Sequence, residues 1–69
     1  MATGQQQMGP VAQQHREAAK HHQQAAEHCE RAAKAYESGN AQEGQRLAQE
    51  SEQHMQQAQQ CMQKAKQLS

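Results

Sequence analysis

The sequence has very few of the large apolar residues from which protein cores are usually built. Its 69 residues include no Phe, Trp or Ile, and its only branched aliphatic residues are Val11, Leu47 and Leu68. Most of the remaining apolar residues are alanine, which offers little surface for burial. Even with an ordinary core, a chain of this length buries only about 60% of its unfolded surface. We therefore expect one small domain that gains stability by associating with a second copy of itself.

Other absences exclude whole classes of function. Seven Lys and Arg residues balance seven Glu residues and Asp is absent, so the sequence has no basic patch for nucleic acid or for an anionic membrane. No apolar run approaches the roughly 20 residues needed to span a bilayer. A basic segment followed by an apolar one, as in a secretory signal, is also absent. We therefore predict a cytoplasmic location without nucleic-acid or membrane partners, although a mature exported protein would have the same composition.

What the sequence does contain is a seven-residue repeat, clearest in HREAAKHHQQAAEHCERAAKAY at residues 15–36. At about 100° per residue, three neighbouring rows of this repeat fall on one side of a helix. The outer two rows are alanine, and the middle row is mainly histidine and cysteine. The repeat therefore predicts an inward helix face centred on the row His15, His22, Cys29 and Tyr36, between Ala18, Ala25, Ala32 and Ala19, Ala26, Ala33.

Local signals predict the limits of two helices. Residues 1–9 have no helical period and resemble a short expression leader, so we predict a disordered N-terminal tail or leader there. Pro10 suits the first position of a helix, which predicts helix 1 over about 10–37. Gly39 suits a left-handed helix end, and Asn40 followed by Glu43 matches a capping box. These residues predict a turn at 38–40 and helix 2 over about 41–68.

The repeat continues through the second half and predicts an all-α fold. Small residues recur in one row of helix 2 at Gly44, Ser51, Ala58 and Ala65, which lets two helix backbones approach closely. The short turn requires the helices to be antiparallel. We expect an alanine-rich, coiled-coil-like hairpin that pairs with a second copy to form a four-helix bundle. The interface of this homodimer would contain the alanine rows with Val11, Leu47, Met55, Met62 and Leu68.

Cysteine and histidine on the inward faces raise the possibility of a metal site. Side chains lean toward the N-terminus of their own helix, which predicts that Cys29 converges with His54 and His22 with Cys61. Thiolate and imidazole ligands suit Cu(I) or Zn²⁺. These four residues are therefore the candidate metal ligands, with Met55, Met62, His21 and His28 as secondary candidates. The alternative is that small polar residues fill a thin core and bind no metal.

The cysteines have a further possible role, and catalysis has little support. Cys29 and Cys61 lie at different depths of one hairpin, so a disulfide between them requires two chains; free thiols are the alternative. Cys29 beside His54 has the groups of a nucleophile and its base, but alanine-rich helices offer no substrate cleft and no oxyanion donors. We predict that the protein is not an enzyme. Its role would be self-association or protein interaction, and the alternative is storage or buffering of Cu or Zn.

The pattern H-x-x-A-A-x-H-H-x-x-A-A-x-H followed by A-A-x-x-Y-x-x-G-N resembles small His/Ala-rich hairpin proteins found in bacterial genomes. The resemblance covers about residues 15–66 and implies a helical hairpin with a turn after Tyr36. It implies no particular activity. Those proteins have more histidine in their second half, where this chain has only His54.

Overall fold

The structure, a computed structural model, describes the backbone of residues 2–68 and the side chains of residues 9–68. Two helices account for this part of the chain, α1 (Ala2–Glu37) and α2 (Ala41–Leu68), with no strand between them. They pack against each other along their length and reverse direction at a three-residue turn. The prediction of an all-α helical hairpin is confirmed.

Helix α1 begins earlier than the sequence predicts. It starts at Ala2, so the segment predicted as a separate tail is helical from that residue on, and Pro10 lies inside the helix. Proline at an interior position leaves the carbonyl four residues before it without its usual partner. The surrounding Ala, Gln and Met residues have high helix propensity, which favours continuation on both sides. With 36 residues against 28, α1 extends beyond the C-terminal end of α2.

The turn closes α1 with two backbone hydrogen bonds around Gly39. The amide of Asn40 donates to the carbonyl of Ala35 at 2.8 Å, and the amide of Gly39 donates to the carbonyl of Tyr36 at 3.0 Å. This pair of bonds is the Schellman arrangement, which requires a left-handed residue after the helix. Gly39 supplies it with φ of 85°. Glycine is needed at this position because a side chain would be strained there.

Asn40 also begins α2, although only half of the predicted capping box forms. Its Oδ1 accepts a hydrogen bond from the amide of Glu43 at 3.2 Å, as expected of an N-cap. The reciprocal bond, from the amide of Asn40 to the carboxylate of Glu43, does not form because that amide already donates to the carbonyl of Ala35. Glu43 instead pairs with Arg46. One residue therefore caps the end of α1 and the start of α2.

The hairpin is held by a narrow strip of small residues between the two helices. Its buried residues are Ala18, Ala25, Ala32, Gly44, Leu47, Ser51, Ala58 and Ala65. Ala58 is fully buried, and Leu47 is the only large aliphatic side chain buried among residues 9–68. Alanine, glycine and serine allow close approach of the backbones. The small-residue row predicted for α2 is the row that packs against α1.

The strip leaves two sides of the hairpin exposed, and each is formed by both helices. In antiparallel helices, rows that follow the buried row in the same rotational sense lie on the same side. We call one side the histidine face; it contains His21, His28, Glu50, His54 and Cys61. The opposite side, which we call the methionine face, contains His15, Ala19, His22, Ala26, Cys29, Ala33, Met55 and Met62.

Candidate functional site

The row predicted at the centre of the inward face lies at its edge. His15, His22, Cys29 and Tyr36 are all exposed, whereas Ala18, Ala25 and Ala32 are buried. The prediction of the face centre was wrong by one row, a rotation of about 60° around α1. The reason is that small Ser51 and Gly44 of α2 allow closest approach to the Ala18 row. The row that contains Cys29 is thereby turned onto the methionine face.

This rotation separates the residues that were predicted to converge. His54 lies on the histidine face, where its ring contacts His21 and His28, and Cys29 on the other side contacts Ser51. His22 and Cys61 are separated in the same way, on opposite faces. Across residues 2–68, no group of three or more His, Cys, Asp or Glu side chains is placed to hold a metal ion. The set His22, Cys29, His54 and Cys61 is therefore not brought together.

Ser51 makes the buried polar connection between the helices. Its Oγ donates to the backbone carbonyl of Ala25 at 2.9 Å, and the Sγ of Cys29 lies 2.9 Å from the Oγ of Ser51. Since the serine proton points to the carbonyl, the thiol of Cys29 is the donor in the second contact. Ser51 is 1% exposed, so its hydroxyl depends on these two bonds rather than on water. Sequence reasoning identified Ser51 only as a small residue and missed this role.

The histidine face brings three imidazoles together across the two helices. The ring centroid of His54 lies 5.0 Å from that of His28 and 6.3 Å from that of His21. His28 is fixed from both sides: its Nδ1 lies 2.8 Å from the carbonyl of Gln24, and its Nε2 lies 3.3 Å from the carboxylate of Glu50. The sequence placed His21 and His28 on a flank and did not indicate that they meet His54.

Two nitrogen atoms in this cluster are buried without a hydrogen-bond partner. They are Nδ1 of His21 and Nδ1 of His54, one from each helix. Buried polar atoms in proteins are almost always paired, and each unpaired one reduces stability by about 1–3 kcal/mol. Both nitrogens belong to rings in mutual contact, at an interplanar angle of 23°. The pair is therefore the most unusual polar feature of the described side chains.

The methionine face carries large apolar side chains in contact with solvent. Met55 is 43% and Met62 37% exposed on α2. On α1 the exposed alanines Ala19, Ala26 and Ala33 lie on the same face, beyond the row that contains His22 and Cys29. Near the turn, Tyr36 is 48% exposed and its ring lies over Gly44. Both cysteines are free thiols, with Cys29 exposed and Cys61 half-buried. The centre of the face has histidine and cysteine but no Lys, Arg, Asp or Glu.

Two residues predicted for the dimer interface lie elsewhere. Leu47 is buried within the hairpin, so it is not available to a second copy. Leu68 is exposed, but its row is that of His54 and Cys61 on the histidine face. The Ala18 row is likewise used inside the hairpin. Of the predicted interface residues, Met55, Met62 and the Ala19 row keep exposed surface on a common face.

The turn end of α2 carries an open polar depression lined by Asn40, Gln42, Glu43 and Arg46. The guanidinium of Arg46 binds the carboxylates of Glu43 and Glu50. The hydrogen bond that Arg46 donates to Glu43, together with the negative charges of Glu43 and Glu50, raises the pKa of Arg46. These groups satisfy one another and place neither a nucleophile nor a base in the depression.

Comparison of the chain with protein-family models, curated proteins and solved structures finds no match, so the proposed function rests on the residues themselves. The resemblance to His/Ala-rich hairpins stays a prediction. Neither helix, over residues 2–68, has the length and hydropathy that crossing a membrane requires.

Proposed function

We propose that this protein is a non-enzymatic helical module that associates with a second copy of itself through the methionine face. The observation that carries the proposal is the pairing of exposed Met55 and Met62 on α2 with exposed alanines on α1. Large apolar side chains that are exposed in a row along one face are typical of an interaction surface. The hairpin buries little apolar surface of its own, so covering this face adds the stability that it lacks.

The shape of the face favours a second copy over an unrelated partner. Met55 and Met62 project as a ridge on α2. The short side chains of the alanines at 19, 26 and 33 on α1, beyond the row of His22 and Cys29, leave a groove that such a ridge can fill. A two-fold axis that lies in the interface and runs parallel to the helices places the ridge of each copy over the groove of the other, which is the self-complementarity that a symmetric dimer requires. Flexible methionine side chains adapt well to such a groove.

Charge and area agree with this choice. The chain has a net charge of zero, and the centre of the face has no charged residue that would select a partner of opposite charge. A face about 40 Å long and about 15 Å wide gives about 1,200 Å² buried in total, near the lower limit for a specific stable interface. The product would be a four-helix bundle with both loops at the same end.

Sedimentation velocity over a range of concentrations tests the proposal. The wild-type chain, kept reduced, should shift from monomer to dimer. Ala26→Glu places a charge in the groove and should weaken association by at least about 100-fold, or about 2.7 kcal/mol. Gln60→Glu adds the same charge on the exposed outer surface of α2 and should change nothing. A chain that stays monomeric throughout, or a dimer that Ala26→Glu does not weaken, would contradict the proposal.

The two thiols provide a second test in the unmodified chain. Cys29 lies on the methionine face and Cys61 on the histidine face, and both are free. Dimerisation should slow alkylation of Cys29 as concentration rises and leave the rate at Cys61 unchanged. Equal slowing at both thiols would point to a different interface.

A further inference from the structure

We infer that the histidine face binds one first-row transition-metal ion through Nδ1 of His21 and Nδ1 of His54. This site differs from the set predicted from the sequence, since it contains no cysteine and uses two imidazoles of the same face. It does not depend on the proposed dimer, because the methionine face lies on the opposite side of the hairpin.

The unpartnered nitrogen atoms are the first argument. Nδ1 of His21 and Nδ1 of His54 are both buried and both without a hydrogen-bond partner. A buried lone pair is unfavourable unless a donor or a metal ion occupies it. Neutral imidazole is a preferred ligand of Zn²⁺, Cu²⁺ and Ni²⁺. The two nitrogens, one from each helix, would supply two of the ligands of such an ion.

The distance between the rings is the second argument. Two imidazoles bound to one Zn²⁺ at the tetrahedral angle, with Zn–N bonds of about 2.1 Å, have ring centroids about 5 Å apart. The centroids of His21 and His54 are 6.3 Å apart, so binding requires the rings to approach by about 1 Å. A change in χ1 supplies this approach, and rotation about χ2, which meets only a broad, shallow barrier, turns the nitrogens toward the ion. The remaining positions would be filled by water.

His28 and Glu50 give the site its support. The ring of His28 packs against that of His54 at 5.0 Å, and its own nitrogens are engaged by Gln24 and Glu50. His28 therefore holds His54 in place and is not itself a ligand. Contacts that orient a liganding imidazole strengthen metal binding.

Titration of the full-length reduced chain with Zn²⁺ by isothermal calorimetry is the direct test. We expect one ion bound per chain at pH 7.5, with binding lost at pH 5.5 because liganding imidazoles must be unprotonated. His21→Gln and His54→Gln should each weaken binding by at least about tenfold. His22→Gln, which alters the neighbouring histidine on the opposite side of the hairpin, and the Cys29→Ser/Cys61→Ser double variant should bind as the wild type does.

Three results would overturn the inference: no saturable binding, binding that survives His54→Gln, or binding that requires the cysteines. The last would indicate thiol ligands. Because a histidine variant could lose its fold, ¹⁵N imidazole NMR of the wild-type chain is the second readout. Zn²⁺ should shift the Nδ1 resonances of His21 and His54 together, at one equivalent. Unchanged Nδ1 resonances at saturating Zn²⁺ would exclude this site and leave a bridging water as the occupant.

Discussion

The two sides of the hairpin are built from the same seven-residue repeat and differ in chemistry. The methionine face has exposed alanines as well as Met55 and Met62, with no Lys, Arg, Asp or Glu along its centre. The histidine face has three contacting imidazoles and the carboxylate of Glu50. The buried strip between them is one to two residues wide. On each helix, a single buried row therefore separates the surface suited to a second copy from the surface suited to an ion.

The largest effect is expected from breaking the strip on which both faces depend. Ala58 is fully buried against α1, with no accessible surface left. Ala58→Leu should destabilise the hairpin by about 2–3 kcal/mol, because an added isobutyl group forces the helices apart. Chemical denaturation of the monomer measures this. The same change at exposed Ala26 should cost less than about 0.5 kcal/mol; equal losses would contradict the division between strip and face.

A smaller effect is expected from Ser51, whose hydroxyl lies between the two faces. Ser51→Ala removes the bond to the carbonyl of Ala25 and the acceptor of the Cys29 thiol. We expect a loss of about 1–2 kcal/mol and faster alkylation of Cys29. Ser38 is the matched control, since its hydroxyl donates to the carbonyl of Ala35 in full contact with solvent. If Ser38→Ala were as damaging as Ser51→Ala, burial would not be the cause.

The smallest effects are expected at the two glycines near the turn, where the faces begin. Gly39→Ala should destabilise by about 1 kcal/mol, because φ is 85° there. Gly44→Ala should be close to neutral. A methyl group would lie 2.7–2.8 Å from the ring of Tyr36, so the ring must swing away, while helix propensity improves by about 1 kcal/mol. Thermal unfolding gives both values, and tyrosine fluorescence reports the ring movement.

Part of this architecture was predictable because its signals are local. Gly39 and Asn40 act through their own backbone and nearest neighbours, so the turn and the start of α2 follow from their chemistry. The rotation of α1 was not predictable in that way. Its two alanine rows, those of Ala18 and Ala19, are chemically identical, and only contact with α2 selects one of them.

The candidate sites depend on that same choice. With α1 turned by one row, Cys29 and His54 would meet; as folded, His54 meets His21 and His28. Sequence composition indicated the ligand types, and packing decided which of them lie together. The start of α1 at Ala2 shows a related limit, because Pro10 is favoured at a helix start and yet is accommodated inside this helix.

The bond from Ser51 ends on a main-chain carbonyl, and this has a consequence for alignment. Every residue of α1 carries such a carbonyl, and alanine recurs every seventh position. A slip of one full heptad between the helices would therefore offer Ser51 an equivalent acceptor and an equivalent alanine. The turn prevents this slip. It has only three residues, and Asn40 is bound to the ends of both helices, so it is too short to allow a shift of seven residues. The length of the turn therefore sets the register of α1 against α2. A longer linker would allow the two helices to pair in more than one register.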